Sequence, residues 1–444
     1  MVQLSPDTTH GTMTSVAKAR KQLITLVRQT CVLPPTEELV IGGSAQDRVL
    51  AQDVSAQGAV PRFANSAVDG FAFRHADLAT LADAGKTASA ASTTSTATLP
   101  LQPQPVYAGE TATPALSPGH SVPITTGAPM PPGADSVCML EDAQVQQSAD
   151  GQVVSLPTAL KRGSNMRPAG EDFARDEVLA AAGQRFSLRQ ITACLASAVP
   201  SAQVYAKPRV MVRSTGDEIA ASVTADAPQV LDSNGPMLAA LFANWGAEVV
   251  PADDQAVRDD LAACVALFER AQAQHVSLLV TTGAVSTGDK DFLKQAFVDA
   301  GGNMSFWKVG MKPGRPVAVG TLGTMVWIGL PGNPVAALVT ACQLALPALR
   351  AAAGETNISP PQGQWVVLNQ GVKKKAGRRE FLRARLTGAS SDQGLARVDK
   401  FHKTGAGMIS GLTWSDGLVE VNEHVTQLEP GARLWFTPWE SYRL

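Results

Sequence analysis

Residues 281–291 read Thr281-Thr282-Gly283-Ala284-Val285-Ser286-Thr287-Gly288-Asp289-Lys290-Asp291, directly after the apolar run Val276 to Val280. Small residues let backbone N–H groups face a phosphate, and the N-terminus of a following helix adds a favourable field. Asp289 and Asp291 offer hard oxygen donors for a cation such as Mg²⁺. Three further loops have compatible chemistry: Ser214-Thr215-Gly216-Asp217-Glu218, Asp232-Ser233-Asn234-Gly235-Pro236 and Leu330-Pro331-Gly332-Asn333-Pro334. Between the last two lies Lys312-Pro313-Gly314-Arg315-Pro316, a stiff loop with two cations. Gathered on one edge, Asp217, Glu218, Asp232, Asp289 and Asp291 would surround Lys312 and Arg315, a set suited to a metal with phosphate or another oxyanion. Plainer roles stand beside this one. An Asp before a helix is a natural cap, so Asp232 and Asp289 could serve only that purpose. Ser214 to Asp217 has the make-up of an ordinary turn.

The elements that must position these loops follow from periodicity. Val210 to Val212, Val249 to Val250, Val276 to Val280 and Met325 to Ile328 are apolar runs fit for buried strands. Helix patterns at Gly235 to Asn244, Asp254 to Ala273 and Asp291 to Ala300 lie between them. Alternating strand and helix predicts a doubly wound, mostly parallel sheet with helices on both faces. Ligands of such sheets gather at the carboxyl ends of the strands. Asn333 fits an N-cap and Pro334 the first helical position. Ahead of this segment, Val16, Leu23, Ile24 and Val27 give an amphipathic helix over 14–29, with Thr14 or Ser15 as cap. Short strands broken by Gly and Pro predict a small β-rich domain over 61–146, and 88–98 is low in complexity. After Gly354, further short strands predict a compact C-terminal β domain.

Composition narrows the function. A chain of 444 residues exceeds one ordinary core. A net charge of −2 gives no global pull toward nucleic acid or an acidic membrane. The basic run Lys373 to Lys375, with Arg378 and Arg379, lacks aromatic partners and reads as a solvated face. Five cysteines without a Cys-x-x-Cys pair fit a reducing cytoplasm. Pro334 to Leu349 is the most apolar long stretch, too short to span a bilayer, and reads as a buried helix. The histidines show no metal-ligand spacing, and Walker A, G-x-G-x-x-G and G-x-S-x-G patterns are absent.

Taken in order, the motifs resemble the molybdopterin molybdenumtransferases, a family that includes the C-terminal part of gephyrin. The resemblance is carried by Ser66 to Ala72, Thr126 to Pro129, Ala169 to Asp172, Ser214 to Glu218, Asp232 to Asn234, Ser286 to Phe292, Met311 to Pro316, Leu330 to Pro334, Arg379 to Phe381 and Gly407 to Ser410. It implies Mg²⁺-dependent hydrolysis of adenylylated molybdopterin, insertion of molybdenum from molybdate, and release of AMP and molybdenum cofactor. It also implies a cytoplasmic homodimer, with molybdopterin-adenylylating and cofactor-accepting proteins as possible partners, and neither nucleic acid nor membrane. By the same resemblance Asp291, Glu218 and Asp232 are catalytic and hold the metal, and Asp69 is a further catalytic residue from the small β-rich domain. Thr126, Gly283, Ser286, Lys312, Arg315, Pro331 and Pro334 would contact substrate. The domains expected are an N-terminal helix (1–29), an elongated linking domain (30–60 and 147–177), the small β-rich domain (61–146), the α/β domain (178–352) and a β-barrel-like domain (353–444). Ala284, Gly235 and Arg315 depart from the residues usual in the family. The alternatives are a non-catalytic scaffold of the same fold and a molybdopterin adenylyltransferase.

Overall fold

The computed structural model describes residues 13–78, 96–110, 112–220, 229–251, 256–283, 292–390, 394–403 and 405–444. Its central sheet has the strand order Glu248–Val249, Arg209–Ser214, Leu278–Thr282, Met325–Leu330, Pro316–Leu322, Asn303–Lys308. The first four strands are parallel, and Pro316–Leu322 runs antiparallel to both of its neighbours, Met325–Leu330 and Asn303–Lys308. Leu278–Thr282 and Met325–Leu330 are buried on both faces, which is why their sequences run apolar without alternation. One face carries Val16–Thr30, Asn234–Asn244 and the helical segment from Pro334 to Ala352 in one core. The other carries Leu261–Ala273 and Phe292–Asp299, where Phe268, Phe297 and Trp327 pack together.

Two expected helices differ in extent. The one expected from Asp254 begins at Leu261, because Asp260 is extended and its side chain caps Ala263 N–H. Val257 extends the sheet edge instead, through a bridge to Thr215. The helical stretch expected over 334–349 reaches Ala352, with a π-helical turn at Ala341–Ala345. At 19 residues it is long and apolar enough to cross a membrane, so length does not settle its role. Its burial does: 89 % of an 18-residue window within it lies inside the protein, as a core helix does.

Two boundaries also move. Residues 178–205 share a core with Ile41, Leu50 and Val54, and Ser201–Tyr205 pairs with Thr36–Val40. They belong to the linking unit, and the α/β unit starts near Arg209. The hairpin of Gln144–Ser148 and Gly151–Pro157 pairs with Thr96–Pro100 and packs against Phe71 and Phe73, so it joins the small β-rich unit. In the C-terminal unit, Arg379–Ser390, Ala396–Lys400, Gln364–Leu368, Arg433–Pro438 and Gly417–Val421 pair in a ring that closes on itself, a five-stranded barrel.

Candidate active site

The carboxyl ends of the three central strands lie together, where an open α/β sheet places its ligand crevice. Thr215 N–H donates to Thr282 O at 2.9 Å and Gly283 N–H to Leu330 O at 3.3 Å, which fixes the loops after the strands side by side. Thr282 Oγ1 donates to Pro331 O at 2.9 Å. Asn234, at the start of its helix, uses Nδ2 twice, toward Thr282 Oγ1 at 3.0 Å and Gly332 O at 2.7 Å. Its buried Oδ1 has no hydrogen-bond partner among the described residues.

A short parallel ladder, Ile219–Ala220 against Val230–Leu231, joins the segments that carry Glu218 and Asp232, Glu218 preceding one strand and Asp232 following the other. Each acid lies over a glycine. A Cβ at Gly235 would sit 2.5 Å from Asp232 Oδ2 and 2.9 Å from Ser214 Oγ. A Cβ at Gly216 would sit 2.5 Å from Glu218 Oε2 and 2.7 Å from Oε1, and Gly216 has φ +135°. Asp232 Oδ1 accepts from Ser214 Oγ at 2.8 Å and from Gly235 N–H at 2.9 Å. The capping role expected of Asp232 is therefore real, and it occupies only one carboxylate oxygen. Asp217 turns away, its Oδ1 accepting from Asp259 N–H at 3.1 Å.

Lys312 belongs to the seam between the α/β unit and the barrel, where Met311–Lys312 pairs with Arg379–Glu380. Its Nζ lies 3.3 Å from both oxygens of the buried Glu380. It opens a small cavity with Glu380, Arg383, Lys400 and Lys403. Arg383 is spent on structure: Nη1 donates to Met408 O at 2.7 Å, and Nη2 to Lys403 O and Gly405 O at 3.0 and 3.2 Å. Burial pushes its pKa down. The cavity meets the crevice across one loop, since Val335 lines it and Val335 N–H donates to Ala406 O while Gly332 O serves Asn234. Pro334 starts the helix at the junction, as expected, while Asn333 occupies the cap position without a side-chain bond. Arg315 is exposed.

Asp69 and Thr126 meet on the small β-rich unit. Asp69 Oδ1 accepts from Thr126 N–H at 2.7 Å and Thr126 Oγ1 at 3.0 Å. The backbone N–H, then the hydroxyl, hold this exposed carboxyl below its ordinary value. No hydrogen bond or ion pair among the described residues joins this pair to the crevice. Ala284, Ser286, Asp289 and Asp291 lie outside the described residues, and no group of three metal-binding side chains occurs within them. Sequence reasoning did not assign Asn234, Glu380, Lys400 or Lys403. For Glu380 a signal existed, an acid directly before the apolar pair Phe381 and Leu382 in a strand pattern.

The comparisons with known proteins follow the same architecture. Residues 14–198 match the MoeA N-terminal region (domain I and II), 211–351 a probable molybdopterin binding domain, and 366–439 the MoeA C-terminal region (domain IV). A molybdopterin molybdenumtransferase of Haemophilus influenzae is 29% identical over 96% of this chain and 99% of that protein. One from Synechococcus elongatus is 33% identical over 82% of this chain and 86% of its own length. The crystal structure of a molybdopterin biosynthesis MoeA protein from Pyrococcus horikosii superposes with a TM-score of 0.75 at 26% identity, covering 96% of this chain and 99% of that one. Three regional matches in order, relatives aligned nearly end to end and a shared fold make this chain a member of the molybdopterin molybdenumtransferase family.

Proposed function

We propose that this protein transfers molybdenum from molybdate to molybdopterin, using adenylylated molybdopterin and releasing AMP and molybdenum cofactor. Family membership supports the transferase reading. The observation that carries the finer reading is the half-committed carboxylate of Asp232, held beside Ser214 at the end of a central strand. One oxygen of Asp232 is fixed by Ser214 and a helix amide, and the other takes no hydrogen bond among the described residues.

Such hard, partly committed carboxylates fit Mg²⁺. Glu218 and Asp232, with Asp291 on the strength of the resemblance, would hold it. When bound, Mg²⁺ would neutralise charge on the adenylate's pyrophosphate link. The chain's own residues do the rest. Ser214 and the Gly235 amide keep Asp232 from swinging. Asn234 Oδ1 offers a buried acceptor to a donor arriving from the substrate. Gly283, Ser286, Pro331 and Pro334 shape the crevice around the substrate, with Thr126 and Asp69 assigned to it from the small β-rich unit. Lys312, Lys400 and Lys403 against the single carboxylate of Glu380 suit a tetrahedral oxyanion, so molybdate is assigned to that cavity, with Arg315 assigned to substrate on the strength of the resemblance.

We also assign a cytoplasmic homodimer. Val32, Val40, Val178, Leu188 and Leu195 on the linking unit are at least 53 % exposed, apolar side chains that a second subunit would cover. The domain set weighs against an adenylyltransferase, an activity expected of a lone α/β domain.

Purified protein incubated with adenylylated molybdopterin, molybdate and Mg²⁺ is expected to release AMP and form cofactor. Asp291→Ala should abolish AMP release with the fold intact. Full activity in that variant would sink the metal assignment, and no turnover by the parent protein would favour the scaffold reading.

A further inference from the structure

We propose that a second cleft binds a small multivalent oxyanion of the phosphate or pyrophosphate class. It shares no lining residue with the crevice or the lysine cavity. It is a cavity of about 280 Å³ where three units meet. Arg48 and Arg185 come from the linking unit, Lys207 from the segment leading into the central sheet, and Arg443 from the end of the C-terminal unit. Asp47 is the one carboxylate on its wall. Four cations therefore face one acid in a chain whose net charge is −2. That concentration of like charge is costly unless something offsets it.

The cations are partly preorganised. Arg48 Nη2 donates to Tyr205 O at 2.7 Å, and Arg185 Nη1 donates to Asp47 O at 2.9 Å. Their carboxylate partners leave an excess. Glu355 is shared between Arg185 and Arg350. Glu37 pairs with Arg48 at the rim, its side chain 46% exposed. Arg443 forks onto both oxygens of Asp47 at 2.7 and 3.1 Å, with about two-fifths of each side chain exposed. Exposed pairs of this kind are worth roughly 0–1 kcal/mol, so an entering anion can displace them. Asp47 is also held at φ +65°, an uncommon conformation for a residue with a side chain, and such positions cluster at ligand sites. The volume lies just under the roughly 300 Å³ at which drug-sized ligands begin, and suits an oxyanion with a few waters. Lys207 is exposed and has no carboxylate partner among the described residues, which makes it the natural first contact.

Titration calorimetry on the full chain tests this with inorganic phosphate, pyrophosphate and AMP. The expected result is pyrophosphate binding that weakens with added salt, falls by about tenfold or more in Lys207→Gln and Arg443→Gln, and is unchanged in Lys403→Gln. AMP binding tighter than phosphate, and dependent on Lys207, would identify the anion as a nucleotide's phosphate. Molybdenum transfer without added pyrophosphate should be unaltered in Lys207→Gln, separating this cleft from the crevice. No pyrophosphate binding by the parent protein at roughly 10 mM would overturn the proposal. So would binding lost in Lys403→Gln but kept in Lys207→Gln.

Discussion

Two carboxylates show how the same residue type is put to different use. Asp232 is both a cap and a candidate metal ligand, and one substitution separates the two. In Asp232→Asn the Oδ1 contacts to Ser214 and Gly235 can persist, while the charge is lost. The unfolding midpoint should move little, and AMP release should fall by on the order of a hundredfold. Equal, small losses in both would mean that Asp232 is only a cap. Asp69 is held below its usual range by Thr126, so the ionised form is favoured in the folded chain. Whatever that contact stabilises is present above the ordinary carboxyl value and is lost as pH falls through the lowered one. Thr126→Val removes the hydroxyl and keeps the N–H, so the Asp69 titration followed by NMR should move up toward the ordinary value without reaching it. An unmoved titration would remove the hydroxyl from the account. The acids stand out in the sequence as charges beside glycines at strand ends, where a cap or a turn accounts for them as readily as a site does. The free oxygen of Asp232 was not, since it depends on where Ser214 and Gly235 place their atoms.

At the scale of elements, the sheet was legible because buried parallel strands cannot alternate, and Val276 to Val280 announces that plainly. Extents were less so. The helix starting at Leu261 reads from sequence as though it began at Asp254, because the bridge between Val257 and Thr215 is a long-range choice that no local pattern encodes. The glycine at the second acid's helix is the element-level test. Gly235 was a departure from the family's usual residue, and its Cα lies against the Asp232 carboxylate. Gly235→Ala should favour the helix by propensity, by a few tenths of a kcal/mol to about 1 kcal/mol, yet displace Asp232 and lower turnover. A variant equally active and more stable would show that the carboxylate has room to move. The π-helical turn at Ala341–Ala345 has a similar logic. It contains Gln343, whose side chain accepts from Arg20 Nη2 at 2.6 Å and donates to Tyr442 Oη at 2.7 Å. The amide's burial tells only that such partners must exist.

For the molecule as a whole, the boundaries between units were the least legible, because strands from distant segments complete each core. Residues 178–205 follow the linking domain in chain order and also in space, through Ser201–Tyr205 against Thr36–Val40. The C-terminal segment is the extreme case. Trp439 and Tyr442 lie in the same core as Val16 and Leu23, and Trp245 Nε1–H donates to Tyr442 O at 2.6 Å. Tyr442→Ala should cost about 3–5 kcal/mol by the measure of large-to-small core changes, and should lower the midpoint of the α/β and barrel units together. Loss confined to the barrel would show that the two cores are independent. Because Val16 and Tyr442 share that core while the linking, β-rich, α/β and barrel units lie between them in the chain, the core needs segments made far apart in time. During translation the first helix must wait, with one side of its core open, until Trp439 and Tyr442 have emerged from the ribosome.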